Sequence, residues 1–157
     1  MADVSISQSE PLTVAFKYVR GPYTLIPQTF GELYHWVEHY GLEPVGPPQA
    51  LYISDPEVTP PDDTEWELWA PVASGAGRTG PDEGGYGVKT VEPALVAAAM
   101  YVGAWDAIGP FYHDVMAWLG ANGYTPAGPF REVYFDGPEV PPEKNRTQVL
   151  IPVARLG

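Results

Sequence analysis

An internal repeat is the feature that most constrains how this sequence can fold. Residues 46–58 and 128–140 carry Gly, Pro, Tyr, Pro, Glu and Val at matching places, 82 positions apart. The same offset holds without a gap from Glu10-Pro11 to Glu57-Val58, and after one deletion the register resumes at 81 positions. Self-similarity with a period of about 80 residues indicates one supersecondary unit used twice. We therefore expect a single domain of two quasi-equivalent halves.

Each half has the same predicted order of strand, helix, strand and strand. Apolar residues alternate along 12–19, as in a half-buried strand, and they recur at spacings of three and four along 27–40, as in an amphipathic helix. Gly41 and Gly123 follow the two predicted helices and end them. The predicted strands are 12–19, 49–54, 65–71, 94–102, 131–136 and 146–152, the helices are 27–40 and 109–122, and short strands at 3–8 and 86–91 precede the two units.

These elements predict an α+β fold. We place the first half at 1–73, a Gly-rich connector at 74–85 and the second half at 86–157. Two strand-helix-strand-strand units related by a pseudo-twofold axis would form antiparallel sheets with their helices on one side. We expect the opposite sheet faces to form a ligand groove between the halves.

Charge and composition exclude several classes of function. The chain of 157 residues has 8 basic and 20 acidic residues, a net charge of −12 that disfavours nucleic acid as a partner. No cysteine is present, so thiol and disulfide chemistry are excluded. Neither a signal peptide nor a membrane-spanning run is evident, which predicts a cytoplasmic protein with no membrane partner. The sequence does not indicate an oligomeric state.

Aromatic residues point instead to a pocket for a small molecule. The chain has 5 Trp, 10 Tyr and 5 Phe, more than a core of this size usually needs. Strand alternation assigns Val133 and Phe135 to the core, so that Glu132 and Tyr134 would face the groove. The same reasoning assigns Ala97, Ala99, Tyr101, Glu65, Glu67 and Trp69 to the groove side. The predicted ligand-binding residues are Glu67, Glu132, Tyr52, Tyr134, Trp69 and Tyr101, with Tyr23 and Trp105 at the rim.

Flat aromatic walls around carboxylates suit planar, hydrophobic and cationic molecules, because ring faces attract cations and carboxylates supply negative charge. The ordinary interpretation is that a strand glutamate is solvated and that alternate aromatic residues are core. The asymmetry between the repeats favours a ligand role for Glu132, because Ala50 occupies the matching position in the first half.

Two other motifs carry no function in this interpretation. Residues His35 to His39 spell the H-x-x-E-H pattern of a zinc protease family, but the apolar face of the helix turns both imidazoles to solvent. No third ligand is evident, so we predict no metal site. The stretch Gly84-Gly85-Tyr86-Gly87 lacks the Lys-Ser/Thr ending of a phosphate loop, and no cofactor is predicted.

The sequence resembles the GyrI-like small-molecule-binding family, which includes the effector-binding domains of AraC-type and MerR-type multidrug regulators. The resemblance covers nearly the whole chain and is closest in the second half. It is carried by residues 101–109 (Tyr-Val-Gly-Ala-Trp-Asp-Ala-Ile-Gly), 117–129, 131–135 (Arg-Glu-Val-Tyr-Phe) and 149–153 (Val-Leu-Ile-Pro-Val). No helix-turn-helix segment is evident, so the sequence resembles a stand-alone member.

The resemblance implies an aromatic groove with a central glutamate, which carries over to Glu132 and, less closely, to Glu67. Some stand-alone members hydrolyse cyclopropane-bearing, DNA-alkylating toxins and so protect the cell. In such an enzyme Glu67 or Glu132 would be the general base, and Tyr134 or Tyr101 would donate a hydrogen bond to the substrate carbonyl. Drug binding without turnover, hydrolysis, and a protein-binding inhibitor of the gyrase-inhibitor type remain open alternatives at this point.

Overall fold

Both repeats form an antiparallel sheet with one helix packed against it in the computed structural model, which describes residues 3–55 and 57–157. Met1, Ala2 and Pro56, which belong to the predicted first half, lie outside the described residues. The strands are β1 (Val4–Gln8), β2 (Leu12–Arg20), β3 (Gln49–Tyr52), β4 (Glu65–Pro71), β5 (Tyr86–Val91), β6 (Leu95–Val102), β7 (Tyr124–Pro126), β8 (Phe130–Tyr134) and β9 (Arg146–Arg155), and the helices are α1 (Ile26–His39) and α2 (Gly109–Ala121). The α+β class and the repeated order of elements are confirmed.

The chain divides into two compact units. The first-repeat unit is Glu10–Pro93, and the second-repeat unit is Ala94–Gly157 together with the N-terminal segment up to Ser9. Strand order is β3-β4-β2-β5 in the first-repeat unit and β1-β6-β9-β8 in the second-repeat unit, where β7 also pairs with β9. Every one of these pairings is antiparallel.

The boundaries of the units differ from the predicted halves because two strands are exchanged. Strand β1 pairs with β6 of the second repeat, and β5 pairs with β2 of the first. Each exchanged strand is followed by a Glu-Pro pair, Glu10-Pro11 or Glu92-Pro93. Proline has no N–H and holds the residue before it extended, so the chain continues forward instead of turning into a hairpin. Residues 1–73 and 86–157 are therefore not the compact units.

Each helix buries one apolar stripe and ends at a glycine, as predicted. Leu33 and Val37 of α1 and the matching Val115 and Leu119 of α2 are at most 1% exposed. Gly41 and Gly123 follow the helices with φ of 66° and 83°, a left-handed conformation that glycine adopts without strain. The helices thus have equivalent places in the two units.

Candidate ligand-binding site

Strand register in the second-repeat unit fixes the face on which Glu132 lies. Glu132 is opposite Val149 and Tyr134 is opposite Thr147 in the β8–β9 pair. Residues opposite each other in an antiparallel pair share a face, and Val149 packs in one core cluster with Val115 and Leu119 of α2. Glu132 and Tyr134 therefore lie on the side of the sheet that α2 covers.

This placement corrects the predicted faces of the second repeat. Val133 and Phe135 were expected on the helix side, but Val133 is on the opposite face from Glu132 and Phe135 is 40% exposed. Ala97 and Ala99, expected to line an open face, are buried in the cluster with the α2 residues. Alternation separates two faces but does not say which one the helix covers, and both faces here carry apolar residues.

Glu132 is a buried carboxylate with a tyrosine hydroxyl at each oxygen. The residue is 8% exposed. The Tyr112 hydroxyl, from α2, donates to Oε2 at 2.6 Å, and the Tyr134 hydroxyl donates to Oε1 at 2.7 Å. A buried carboxylate needs such donors, because an unsatisfied charge inside a protein is strongly destabilising. Sheet and helix together therefore hold the carboxylate in one orientation.

Aromatic rings surround this carboxylate and its two donors. Trp105 meets the Tyr134 ring edge-on at a centroid distance of 6.1 Å, and Phe130 stacks on Tyr112 at 6.0 Å. The indole N–H of Trp105 donates to Thr147 Oγ1 at 3.1 Å, which fixes the ring, although Trp105 remains 43% exposed. One aromatic wall of the Glu132 site is thus open to solvent.

Tyr101 shares this face and supports the turn that carries Trp105. Its position on β6 is opposite Thr147 in the β6–β9 pair. Its hydroxyl donates to the Ala104 carbonyl at 2.6 Å, and its ring lies 5.3 Å from that of Phe111. Tyr101 therefore braces the Trp105 turn.

The matching site in the first-repeat unit is a packed apolar core. Tyr23 and Tyr52 meet edge-on at 5.3 Å, and Tyr23 lies 6.4 Å from the Trp66 ring. Trp66 is fully buried and its indole N–H donates to the Gly21 carbonyl at 2.8 Å. Ala50, which matches Glu132, is also fully buried. These residues stabilise the fold of the first repeat.

Glu67 lies on the other face of its sheet. Strand β4 alternates, and its neighbour Leu68 shares a face with Lys17 and Tyr86, where Trp36 of α1 stacks on Tyr86. Glu67 therefore points away from α1, as predicted for the first repeat.

The charge of Glu67 has a partner inside its own unit. Glu67 Oε1 accepts hydrogen bonds from the Lys89 ammonium, in an ion pair, and from the Trp69 indole N–H at 2.8 Å. Lys89 also lies over the Phe16 ring, 4.6 Å from its centroid. These contacts give Glu67 and Trp69 a structural role in the sheet.

The eight predicted ligand-binding residues thus fall into three groups. Glu132, Tyr134, Tyr101 and Trp105 share the α2 face, Tyr23 and Tyr52 pack around Trp66 in the first-repeat unit, and Glu67 and Trp69 lie on the face away from α1. Their role in binding stays a prediction, as does the groove between the halves.

Sequence reasoning missed Tyr112, Phe130 and Thr147. The signal for Tyr112 was present in the repeat, because Phe30 stands at its matching position, 82 residues earlier. A phenol replaces a phenyl ring at the same place where a carboxylate replaces Ala50. The two changes together predict a hydrogen bond between helix and strand, which either change alone does not.

The histidine motif is exposed, as expected. His35 and His39 lie on the solvent side of α1, and His113 is exposed on α2. Within residues 3–55 and 57–157, no group of three or more His, Cys, Asp or Glu side chains could hold a metal ion.

No helix in the described part of the chain is both long enough and apolar enough to cross a bilayer. The cytoplasmic location stays a prediction from the sequence.

Comparison with protein families matches residues 2–154 to the GyrI-like small molecule binding domain. The chain belongs to the GyrI-like small-molecule-binding family. The comparison with curated proteins finds no match.

Solved structures agree with this GyrI-like fold. The EcmrR C-terminal domain superimposes with a TM-score of 0.84 at 18% identity, with 99% of each chain covered. A hydrolase from Listeria innocua gives a TM-score of 0.68 at 12% identity, covering 97% of this chain and 92% of that one. SAV2435 bound to tetraphenylphosphonium gives 0.58 at 17% identity, covering 97% and 94%. At these identities the similarity shows a shared fold.

Proposed function

We propose that this GyrI-like domain binds planar, hydrophobic, cationic small molecules at the second-repeat site, with Glu132 as the anchor for the positive charge. The observation that carries the proposal is the carboxylate itself, 8% exposed and hydrogen-bonded by Tyr112 and Tyr134 beside the exposed Trp105. A carboxylate at a helix–sheet interface is costly for folding, so it favours a role in binding. Aromatic faces and negative charge together attract organic cations.

Two further observations support a cationic ligand. The net charge of −12 raises the local concentration of cations around the protein. A structure of the same fold, SAV2435, is bound to tetraphenylphosphonium, a bulky aromatic cation. Glu67 is a weaker candidate for the anchor, because Lys89 already neutralises it.

A dye-binding experiment with two variants and two ligands tests the proposal. A cationic rhodamine should quench tryptophan fluorescence on binding, and Glu132→Gln should weaken that binding about tenfold or more, since a hydrogen bond or contact to a charged group contributes about 1.5–3 kcal/mol. An uncharged rhodamine analogue should bind wild type and Glu132→Gln alike. Glu67→Gln is the matched control and should change the affinity less than about threefold. Equal affinity of wild type and Glu132→Gln for the cationic dye would refute the role of Glu132.

Hydrolysis of cyclopropanoid toxins is the second candidate function, favoured by the placement of two phenol hydroxyls beside one buried carboxylate. In this reaction water forms a C–O bond to a cyclopropane carbon while a ring C–C bond breaks and its electron pair moves into the conjugated carbonyl. Glu132 would accept a proton of the water and return it to the enolate oxygen or its carbon, and Tyr134 would turn its hydroxyl from Glu132 to stabilise that oxygen while its negative charge develops. One similar fold is named as a hydrolase, from Listeria innocua.

Turnover distinguishes the two functions. The protein is incubated with an excess of a cyclopropanoid alkylator, and the hydrated product is counted by mass spectrometry. An enzyme gives many products per protein molecule and loses this activity in Glu132→Gln while still binding the substrate. At most one equivalent of bound, unchanged compound supports binding alone.

A further inference from the structure

A second cluster of aromatic rings lies where α1 meets β5, in the first-repeat unit. Trp36 and Tyr86 stack in parallel, with centroids 5.6 Å apart and planes at 7°, and Tyr40 meets Trp36 edge-on at 4.9 Å. We call Trp36, Tyr40 and Tyr86 the aromatic shelf. A cavity of about 330 Å³ lies against it, lined by Glu32, His35, Trp36, His39, Tyr40 and Tyr86. This volume lies within the range of small-molecule sites.

The shelf already holds a planar cation from its own chain. The guanidinium carbon of Arg78 lies 3.4 Å from the centroid of the Tyr40 ring and 5.8 Å from that of Trp36. Both distances are within the range of attractive cation–π contacts. The shelf therefore has the geometry to bind a flat positive group.

The Arg78 side chain reaches the shelf from the protein surface. Arg78 belongs to the Gly-rich connector 74–85, next to Gly77, which has a φ of 78°, and is exposed. The backbone around it is hydrogen-bonded, with the Arg78 N–H donating to the Gly75 carbonyl at 2.9 Å and the Val88 N–H donating to the Thr79 carbonyl at 3.2 Å, so only the side chain has to move. Arg78 can therefore leave the shelf without disturbing α1 or the sheet.

Carboxylates lie near the shelf, beside the two cations, Arg78 and Lys17, that contact its rings. Burial raises the pKa of the Tyr86 phenol, and the charges of Glu32 and then Asp82 raise it further. Glu32 also lines the cavity directly. Lys17 lies over the Tyr86 ring at 4.1 Å, so that ring too attracts a cation within this unit. Rings and carboxylates at this place share one preference, for positive charge.

We propose that the aromatic shelf is a second binding site, for planar organic cations, and that Arg78 covers the Tyr40 ring of this site when no ligand is bound. A ligand would displace the guanidinium, stack on Tyr40 and Trp36 in its place, and gain the attraction of Glu32. Arg78 acts as an internal competitor that lowers the affinity for weak cations. This site is built from first-repeat residues and does not depend on Glu132.

Ethidium, a flat and permanently charged cation, tests the shelf in the Glu132→Gln background. Removing the competitor in Arg78→Ala should tighten ethidium binding about two- to fivefold, the equivalent of one exposed cation–π contact. Adding Tyr40→Ala or Glu32→Gln to Arg78→Ala should reverse that gain. In wild-type protein, ethidium should shift the NMR signal of the Trp36 indole N–H, a readout that does not require the Glu132 variant to fold.

Matched controls separate stacking from net charge. Arg20→Ala removes the same charge, but Arg20 pairs with Asp63 at 3.1 Å instead of stacking on the shelf, so ethidium affinity should not change. Glu38→Gln is the control for Glu32→Gln, because Glu38 is on α1 but does not line the cavity. Equal ethidium affinity in Arg78→Ala and Arg20→Ala, or an unmoved Trp36 signal, would overturn the proposal, whereas failure of Glu132 as an anchor would leave these results unchanged.

Discussion

Ala50 and Glu132 occupy the same strand position in the two repeats, and their surroundings differ in a concerted way. Phe30 in the first repeat matches Tyr112 in the second, and Trp66 matches Thr147. In the first repeat a fully buried indole fills the helix–sheet interface, whereas in the second a small hydroxyl leaves room for a carboxylate and its tyrosine donors. One copy thus keeps a packed core, and the other carries a hydrogen-bonded carboxylate, which we propose as the ligand anchor.

This comparison predicts that Trp66→Ala is the most destabilising change. Loss of a fully buried tryptophan side chain leaves a large cavity and should lower the free energy of unfolding by about 3–5 kcal/mol. Thr147→Ala, the matched change, should lower it by only about 1 kcal/mol, the value of the hydrogen bond from Trp105. Urea denaturation followed by circular dichroism measures both. Similar losses in the two variants would mean that the interfaces are packed alike.

Transplanting the carboxylate sharpens the comparison further. Ala50→Glu places a charge beside Leu68 in a core that has Phe30 where the second repeat has a tyrosine, and should lower the free energy of unfolding by about 3 kcal/mol. Adding Phe30→Tyr should restore about 1 kcal/mol through a new hydrogen bond. A double-mutant cycle of thermal or urea unfolding measures this coupling. Additive effects of Ala50→Glu and Phe30→Tyr on the free energy of unfolding would show that the two side chains do not interact.

Tyr112→Phe tests the same pair in its native place. The variant has the ring of Phe30 but loses the 2.6 Å hydrogen bond to Glu132, so stability should fall by about 1.5 kcal/mol. Ligand affinity should also fall, because the carboxylate loses its orientation. Tyr124→Phe is a suitable control in the same core cluster. Equal unfolding midpoints for Tyr112→Phe and wild type would contradict the role of this hydrogen bond.

The smallest predicted effect is visible only in acid. The hydrogen bond from the Arg146 side chain lowers the pKa of Asp136. Asp136 also accepts the backbone N–H of Arg146, whereas in the first repeat the neutral Ser54 accepts the matching backbone N–H of Glu65. Because the folded-state pKa is lowered, this stability is fully present above the ordinary Asp pKa and is lost as the pH falls through the folded-state pKa. Asp136→Asn should therefore lose less stability than wild type as the pH falls below about 4. Parallel curves of unfolding midpoint against pH would contradict this.

Most of the fold could be predicted from the sequence because each repeated element occurs twice, so that two sequence patterns indicate the same helix or strand. Helix ends at Gly41 and Gly123 and strand β4 agree closely with the prediction. The exchange of β1 and β5 could not be predicted from the sequence. The pairing of a strand depends on which other strand has an unpaired edge nearby, and the local residue pattern contains no information about that. Strand β7 was missed because its three residues end in a proline.

The site was predicted only in part, because strand alternation shows which residues share a face but not which face the helix covers. Period-two alternation placed Glu132 and Tyr134 on one face together, but both faces of the sheet are apolar, so the helix-covered face stayed ambiguous. The repeat contained the answer: Leu68 matches Val149, and Val149 is opposite Glu132 in the sheet. Because Leu68 faces the helix in the first repeat, Val149 and its partner Glu132 face the helix in the second. Glu67, next to Leu68, lies on the face away from the helix. The helix residue Tyr112 could be found only by comparing it with Phe30.

A crystal structure of the protein with a bound planar cation, such as a cationic rhodamine, tests the central claim most directly. We predict ligand density in contact with Trp105 and Tyr134, with the positive charge of the ligand closest to the Glu132 carboxylate. Soaks of Glu132→Gln crystals at the same concentration should show that position empty. Density for the ligand beside Glu67 in place of Glu132, or unchanged occupancy in Glu132→Gln, would contradict the claim that Glu132 is the anchor of the second-repeat site.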